Sequence, residues 1–261
     1  MKKDIFRAYD ILGNLAIVKF SDKVKLKDKK KFADKILKNN KSIKTILEKT
    51  GKFKGRLRIM QTKYLLGEKT KEVLYRENGC SFRFSIDETY FSPRLSNERK
   101  EIASMIKKNN SVLVMFAGVA PFSIIIAKNS KAKKVVSNEI NRKANKYAQL
   151  NIELNKLKNK VELASGDIKK VAPKLKEKFD VIVMPRPQLK NSFLEQAFKL
   201  SKKGTRIYYY DFCKIDEVPR IEEKIKKEAK KFRKKIKILN SKIAGEVGPY
   251  KIRVRVDLLI D

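Results

Sequence analysis

The chain has 261 residues, 42% hydrophobic and 36% charged, and its 65 Lys+Arg against 29 Asp+Glu leave a formal net charge of +36. That apolar fraction supports a buried core over roughly one to two domains of about 150 residues and excludes a disordered basic tail. No apolar run approaches the ~18 residues that cross a bilayer and Met1–Asp10 carries no apolar signal region, so a soluble, cytoplasmic protein without membrane contact is expected.

Residues 5–20 (IFRAYDILGNLAIVKF) predict two strands joined at Gly13-Asn14, a tight-turn pair between apolar runs. Leu26, Phe32, Ala33, Ile36 and Leu37 then fall on one face of a helix whose outer face is lysine. Strand-like segments follow at Ser42–Leu47, Leu57–Met60, Val73–Arg76 and Ser81–Ile86, punctuated by Gly51, Gly67 and Asn78-Gly79. Together they predict a small α+β domain over residues 1–90, with an RNA-binding or linking role. From residue 91 onward strands and helices alternate. Strands are expected at Ser111–Phe116, Lys134–Ser137, Val161–Leu163, Asp180–Met184 and Arg206–Tyr210, with helices at Pro121–Lys128, Asn141–Leu154, Ile168–Lys178 and Leu189–Leu200. This alternation makes a parallel sheet covered on both faces. A lysine-rich helix over Asp216–Arg233 leads into two alternating segments, Lys235–Ile243 and Lys251–Ile260, parted by Gly245, Gly248 and Pro249. A closing strand pair on a five-stranded parallel sheet is the layout of the class I, Rossmann-fold methyltransferases, so residues 91–261 are expected to form an α/β domain of that kind.

The chain has no histidine, so proton transfer must use Asp, Glu, Lys, Tyr or Cys. Cys80 and Cys213 stand far apart without a CxxC pairing and support neither a disulfide framework nor a structural zinc. The charge excess points to a polyanionic partner, nucleic acid being the usual one, against the plainer reading of a lysine-rich solvated surface.

The run VLVMFAGVAPF (112–122) reads as strand, tight loop and a helix opening at Pro121. Such a loop lets a ligand approach the backbone at the carboxyl end of the first strand, or is an ordinary βα connection. Glu139 ends the second strand, where it can accept two ribose hydroxyls or serve the following helix N-terminus. Asp167, after the third strand, can reach an adenine amino group or cap its helix. Three such positions on successive strands outline one adenosyl pocket. Met184-Pro185-Arg186-Pro187 ends the fourth strand in a stiff loop at the pocket mouth. Upstream, in YFSPRLSNER (90–99), Ser96 is placed to cap a helix; Glu98 either favours that helix start electrostatically or is an ionised carboxylate beside a base-binding site.

The runs YFSPRLSNER, MFAGVAPFSI, IYYYDF (207–212) and VGPYKIRVRVDLLI (247–260) resemble the archaeal and eukaryotic tRNA (guanine-N1-)-methyltransferases that modify guanosine-37, immediately 3′ of the anticodon. AYDILGNLAIVKF and the GE of YLLGEK extend the similarity over nearly the whole chain. The resemblance implies S-adenosylmethionine as methyl donor, the tRNA anticodon stem-loop as partner and a monomer, with the family's further N-terminal, elbow-gripping module absent. It implies that Glu98 takes the N1 proton and Arg58 steadies charge on O6. It places Tyr90, Arg99, Phe116, Gly118, Glu139, Ile140, Asp167 and Ile168 around the cofactor, and Arg94, Pro185, Arg186 and Pro187 around the base. Guanine N1 is protonated at neutral pH, so methylating it needs a base there and a cation near O6.

Three positions depart from the family pattern. Val114 replaces an aspartate, Ala120 a glycine, and Pro185 the asparagine that opens an Asn-Leu-Pro motif at the base site. Two alternatives follow: an aminocarboxypropyl transferase of wybutosine formation, which lacks that motif, and a degenerate homologue that binds tRNA without catalysis.

Overall fold

The computed structural model describes residues 9–51, 59–186 and 189–261, in two compact units, Met1–Pro93 and Arg94–Asp261. Arg58 and Pro187 lie outside the described residues, as does the first half of the strand expected at Leu57–Met60.

In the first unit β1 (Asp10–Leu12) and β2 (Leu15–Val18) form the expected hairpin. Its turn needs Gly13, whose φ is +58° and where an added Cβ would meet the Leu74 carbonyl oxygen at 1.9 Å. Helix α1 (Leu26–Asn39) then crosses over, so that β3 (Thr45–Lys49) lies parallel to β2. Ala33 and Ile36 of α1 bury against Ala16, Val18 and Ile46, as its apolar face requires. Strand β4 (Thr62–Gly67), which the periodicity does not reveal, closes the sheet in the order β1-β2-β3-β4. A bulge at Leu65, between the partners of Ile46 and Leu47, shifts its register, so only Thr62 and Leu65 of β4 are buried and the two-residue period is broken. β5 (Glu72–Glu77) and β6 (Cys80–Ser85) pair through Asn78-Gly79, both at positive φ.

The second unit is a seven-stranded sheet in the order β12-β13-β11-β10-β7-β8-β9. Its strands are β7 (Ser111–Met115), β8 (Lys134–Glu139), β9 (Val161–Ser165), β10 (Phe179–Met184), β11 (Ser201–Lys214), β12 (Ile236–Gly248) and β13 (Lys251–Ile260). The first five are parallel, and β13 and β12 close the edge antiparallel, which is the expected Rossmann-type methyltransferase layout. Helices α3 (Pro121–Asn129), α4 (Arg142–Leu154) and α7 (Val218–Lys231) fall where the pattern puts them, and α2 (Ser96–Met105) precedes the sheet. The N-cap position of α2 is taken by Leu95, at the end of a 3-10 turn, and not by Ser96 as expected.

Two helices are shorter than expected. α5 ends at Val171 because Pro173 cannot donate into a continuing helix; a 3-10 turn over Ala172–Lys174 follows. α6 starts only at Leu194, since Asn191 Oδ1 takes the Phe193 amide at 2.7 Å and Phe193 adopts φ +60°. The sheet's strand order reverses between β7 and β10: the chain moves from β7 to β8 and β9, then returns to pair β10 on the other side. Open α/β sheets bind ligands at the carboxyl ends of the strands at such a point. Among the described residues no helix is long and apolar enough to cross a membrane.

Candidate active site

Backbone amides and carboxylates lace together the carboxyl ends of β7, β8 and β9. In the loop after β7, Phe116, Gly118 and Ala120 all have positive φ, at 59°, 58° and 66°. Left-handed backbone costs a non-glycine residue about 1–2 kcal/mol, and Phe116 and Ala120 both bear it. The loop is held in this shape from the neighbouring strand. Ala117 N donates to Asn138 O and Gly118 N to Glu139 Oε2, both at 2.8 Å. Glu139 Oε1 accepts the Asn141 amide at 2.8 Å, and Asn141 in turn caps α4 through Lys143 N. Asn138 Nδ2 reaches Ala164 O and Gly166 O, tying β8 to the end of β9. Asp167 caps α5, accepting Lys169 N at 3.0 Å.

These residues fit an adenosyl group. Gly118 presents backbone with no side chain, Glu139 and Asp167 stand at adjacent strand ends, and a carboxylate offers about four acceptor directions, so anchoring by amides is compatible with accepting ribose hydroxyls. Ile140 is half-buried between Glu139 and Asn141, and Ile168 is buried at the first position of α5. Phe116 meets Phe193 edge-on at 5.0 Å. Val114 is fully buried on β7, paired with Ser137 and Val183.

Glu98 is the second centre. It occupies the first turn of α2, 6% exposed, inside a cluster that β11, β12 and β13 supply. Its Oε2 accepts Tyr210 Oη and Arg255 Nη1, each at 2.9 Å, and its Oε1 lies 3.1 Å from Lys242 Nζ. Arg255, 1% exposed, is bound bidentately by Asp257 at 2.7 and 3.1 Å and also donates to Glu101 at 2.8 Å. Lys242 completes the cluster on Glu101 at 2.6 Å. Burial, with Glu98 adding to it, pushes the Tyr210 phenol well above its ordinary value. Glu101 is held below the carboxylate range although burial opposes this, because Lys242 and Arg255 both donate to it. Hydrogen bonds to Glu101 and Glu98 keep Lys242 charged to higher pH than usual.

This cluster adjoins the opening turn of α3. Arg99, 1% exposed, lies over the Phe122 ring at 5.7 Å, and Phe122 meets Tyr210 edge-on at 6.0 Å. The Glu98 cluster and the end of the β7 loop are therefore one ring apart.

Alternation along β11 serves both faces of the sheet. Tyr210 faces Glu98, while Tyr209 and Asp211 face the end of β10. There Arg186, expected beside the base, is turned inward and 2% exposed. Its Nε donates to Tyr209 Oη at 3.1 Å, its Nη2 to Asp211 Oδ1 at 3.1 Å, and both terminal nitrogens to Leu189 O. The guanidinium thus pins the chain that follows β10, and Pro185 beside it is half-buried. Arg94 is exposed and lines a cavity of about 530 Å³ with Ile215 and the β12–β13 turn, Pro249 and Tyr250 included. Tyr90 is half-buried in the first unit, next to Phe91, which stacks on Phe84 at 4.6 Å. Sequence reasoning missed Tyr210, Lys242, Arg255 and Asp257 as partners of Glu98. Arg255 and Asp257 had one signal, the run RVRVD (253–257), whose polar residues recur every second position; Tyr210 sits in the unbroken polar run of IYYYDF, and nothing in the sequence marks Lys242.

Comparison with known proteins adds the family context. Residues 73–239 match the family model described as TRM5/TYW2 methyltransferase domain, and residues 1–70 match TYW2 N-terminal domain. A relative from Nanoarchaeum equitans, tRNA (guanine(37)-N(1))/4-demethylwyosine(37)-methyltransferase Taw22, is 33% identical over 97% of this chain and 99% of its own length. The solved complex of aTrm5 with tRNALeu is 28% identical, with a TM-score of 0.82 over 98% of this chain and 73% of that one. M. jannaschii TYW2, solved with AdoMet, is 25% identical, with a TM-score of 0.75 over 97% of this chain and 99% of that one.

Proposed function

The chain belongs to the TRM5/TYW2 methyltransferase family of S-adenosylmethionine-dependent, tRNA-modifying enzymes, and from that premise we propose that it methylates N1 of guanosine-37, next to the anticodon. The observation that carries this reading is Glu98: a buried carboxylate, held by three cationic or hydroxyl donors, one aromatic ring from the loop that ends β7. Bound S-adenosylmethionine supplies the methyl group. Gly118, Glu139 and Asp167 would hold its adenosyl part, and Phe116, Ile140, Ile168 and Arg99 would frame it; Tyr90 is assigned to the cofactor on the family resemblance alone.

Glu98 accepts the N1 proton of the guanine, so that the ring nitrogen's lone pair becomes available. Arg58, on the strength of the family resemblance, steadies the charge that grows on O6. Arg94, exposed at the second unit's start, would contact the RNA, an assignment that its exposure supports. Arg186 acts at one remove, fixing the segment that carries Pro185. Proline has no side-chain hydrogen bond to offer, so the backbone of that segment reads the base. The catalytic step needs the guanine out of its stack, at a cost of a few kcal/mol that contacts to the anticodon loop offset.

A second reading, aminocarboxypropyl transfer onto a tricyclic guanine derivative, is favoured by the match of residues 1–70 to a TYW2 N-terminal domain and by Pro185. One experiment separates the readings. The protein is incubated with S-adenosylmethionine, labelled in turn on the methyl and on the aminocarboxypropyl carbons, and with tRNA that is unmodified or carries the tricyclic base. Nucleoside mass spectrometry identifies the product. N1-methylguanosine supports the first reading and a four-carbon amino acid adduct the second. Bound tRNA without product would make the chain a non-catalytic binder.

A further inference from the structure

We infer that Tyr210 and Arg255 are positioning residues for Glu98: they occupy Oε2 and so leave Oε1, faced by Lys242, as the atom that receives the guanine N1 proton. The inference rests on the assignment of Glu98 as the base.

A glutamate on the first turn of a helix has three side-chain torsions, and a base that swings among rotamers spends little time in line with one N–H. Here the freedom is removed from one side only. Oε2 accepts Tyr210 Oη and Arg255 Nη1, both at 2.9 Å, and both donors are less than 2% exposed. Arg255 is itself immobilised by the two bonds it donates to Asp257 and the one it donates to Glu101, so the hydrogen bond it makes to Oε2 is aimed, not adjustable. Tyr210 is clamped by its place on β11, opposite Arg255 in the strand register. Facing residues of an antiparallel pair lie on the same side of the sheet, which is why one strand pair delivers both donors to one oxygen.

Oε1 has a different neighbour. Lys242 on β12 approaches it at 3.1 Å, and the lysine side chain is 33% exposed and shared with Glu101. A lysine on a flexible stem, with a second carboxylate to retreat to, is a displaceable partner. The proton leaves guanine N1 with its bonding pair left on nitrogen, and an Oε1 lone pair forms the new O–H bond. Glu98 becomes neutral while Arg255 keeps its charge and its hold on Oε2. The two acidic neighbours of Arg255, Asp257 and Glu101, balance the cation in that state.

The test is a double-mutant cycle on the full chain. Tyr210→Phe removes one donor with little change in volume, and Glu98→Gln removes the base. Single-turnover methyl transfer is measured at saturating S-adenosylmethionine and tRNA. Alongside it are measured the affinity for each and, in the protein alone, unfolding stability. Tyr210→Phe is expected to slow the single-turnover step about tenfold or more, with tRNA and cofactor affinities within about twofold, as for a change in placement and not in binding. In the Glu98→Gln background the same substitution is expected to cost nothing further in rate, and the two stability losses are expected to be non-additive. Arg255→Lys should behave like Tyr210→Phe, so either variant carries the test if the other folds poorly. If Tyr210→Phe and Arg255→Lys slow the reaction by the same factor with and without Glu98, or leave it unchanged in both, the positioning role is refuted. If the unsubstituted protein forms no methylguanosine, the proposed activity fails. The stability cycle still reports whether Tyr210 and Glu98 are coupled.

Discussion

Arg255→Met removes four hydrogen bonds at one stroke, and the structure says which of them matter. Two go to Asp257, 8% exposed, one to Glu98, 6% exposed, and one to Glu101, whose side chain is 37% exposed. Glu101 keeps Lys242 and has water within reach, so its loss is small. Glu98 keeps Tyr210 and Lys242. Asp257 loses its bidentate cation in a place where solvent cannot replace it. Breaking a buried pair by deleting one partner costs about 3–5 kcal/mol, mostly through the carboxylate left behind. Against a total stability of about 5–15 kcal/mol this is a large fraction. At about 2–4 °C per kcal/mol for a chain of this size, it lowers the melting midpoint by roughly 6–20 °C. The protein has no tryptophan, so urea and thermal unfolding are followed by far-ultraviolet circular dichroism and tyrosine fluorescence. The double variant Arg255→Met/Asp257→Asn should regain part of the loss, because the orphaned charge is gone. A loss below about 1 kcal/mol for Arg255→Met, or no recovery in the double variant, would show that Asp257 is satisfied in some other way and would refute the reasoning.

Four further outcomes follow from the same geometry. Glu139→Gln turns an NH2 group toward the amide of Gly118 or Asn141 and should weaken S-adenosylmethionine binding about 10- to 100-fold by calorimetry, the worth of one charged hydrogen bond; unchanged affinity would remove Glu139 from the site. Ala120→Gly relieves a left-handed residue at φ +66°, but frees the unfolded chain and deletes a fully buried methyl, so stability should stay within about 1 kcal/mol; a loss of about 2 kcal/mol or more would contradict the strain relief. Burial holds the phenols of Tyr208, Tyr209 and Tyr210 above the ordinary value of 10.0 in the folded chain, while the unfolded chain ionises from about pH 10. Their contribution to stability is therefore complete below pH 10 and lost as pH rises above it, so urea midpoints flat from pH 8 to 11 would count against it. Binding of tRNA should fall steeply with salt, with a log–log slope near about −0.9 per duplex phosphate contact, and a shallow slope would return the excess lysine to plain solvation.

The parallel sheet was legible because each of its strands is a short apolar run followed by a helical period, and the tertiary structure has nothing to overrule there. β4 was not, because a bulge at its own Leu65, between the partners of Ile46 and Leu47, destroys the alternation that marks a strand. The overlong helices at Ile168 and Leu189 show the opposite error: the apolar spacing continued, but Pro173 and the Asn191 side chain offered the backbone another partner. Glu139 and Asp167 were singled out from their positions at strand ends, and the structure gives each a backbone amide to hold, which is the capping reading; on the proposed function the same carboxylates would also take the ligand. RVRVD reads as a strand with one wet face, and that is the least faithful signal in the chain. Arg253, Arg255 and Asp257 are all under 9% exposed, because α2 lays Glu98 and Glu101 over the face that the pattern gives to water. No one-dimensional pattern distinguishes a polar face turned to solvent from one turned to its counter-charges.

That distinction also divides the +36. Arg99, Arg186 and Arg255 are at most 2% exposed; Arg186 and Arg255 are matched inside the protein by Asp211, Asp257, Glu98 and Glu101, while Arg99 lies over Phe122. The outward surplus is lysine, as on α7, where Ile225 and Ala229 are buried and Lys226, Lys227, Lys230 and Lys231 are exposed. Arginine's planar fork suits one fixed acceptor pair, and lysine's flexible point charge suits a phosphate at no fixed angle. The buried arginines therefore brace the protein's own side chains, and the exposed lysines are the ones placed to meet a polyanion's backbone. Contacts of that kind position without reading sequence. On the proposed reading, selection of the base then falls to the few groups at the strand ends, with Glu98 held by Tyr210 and Arg255.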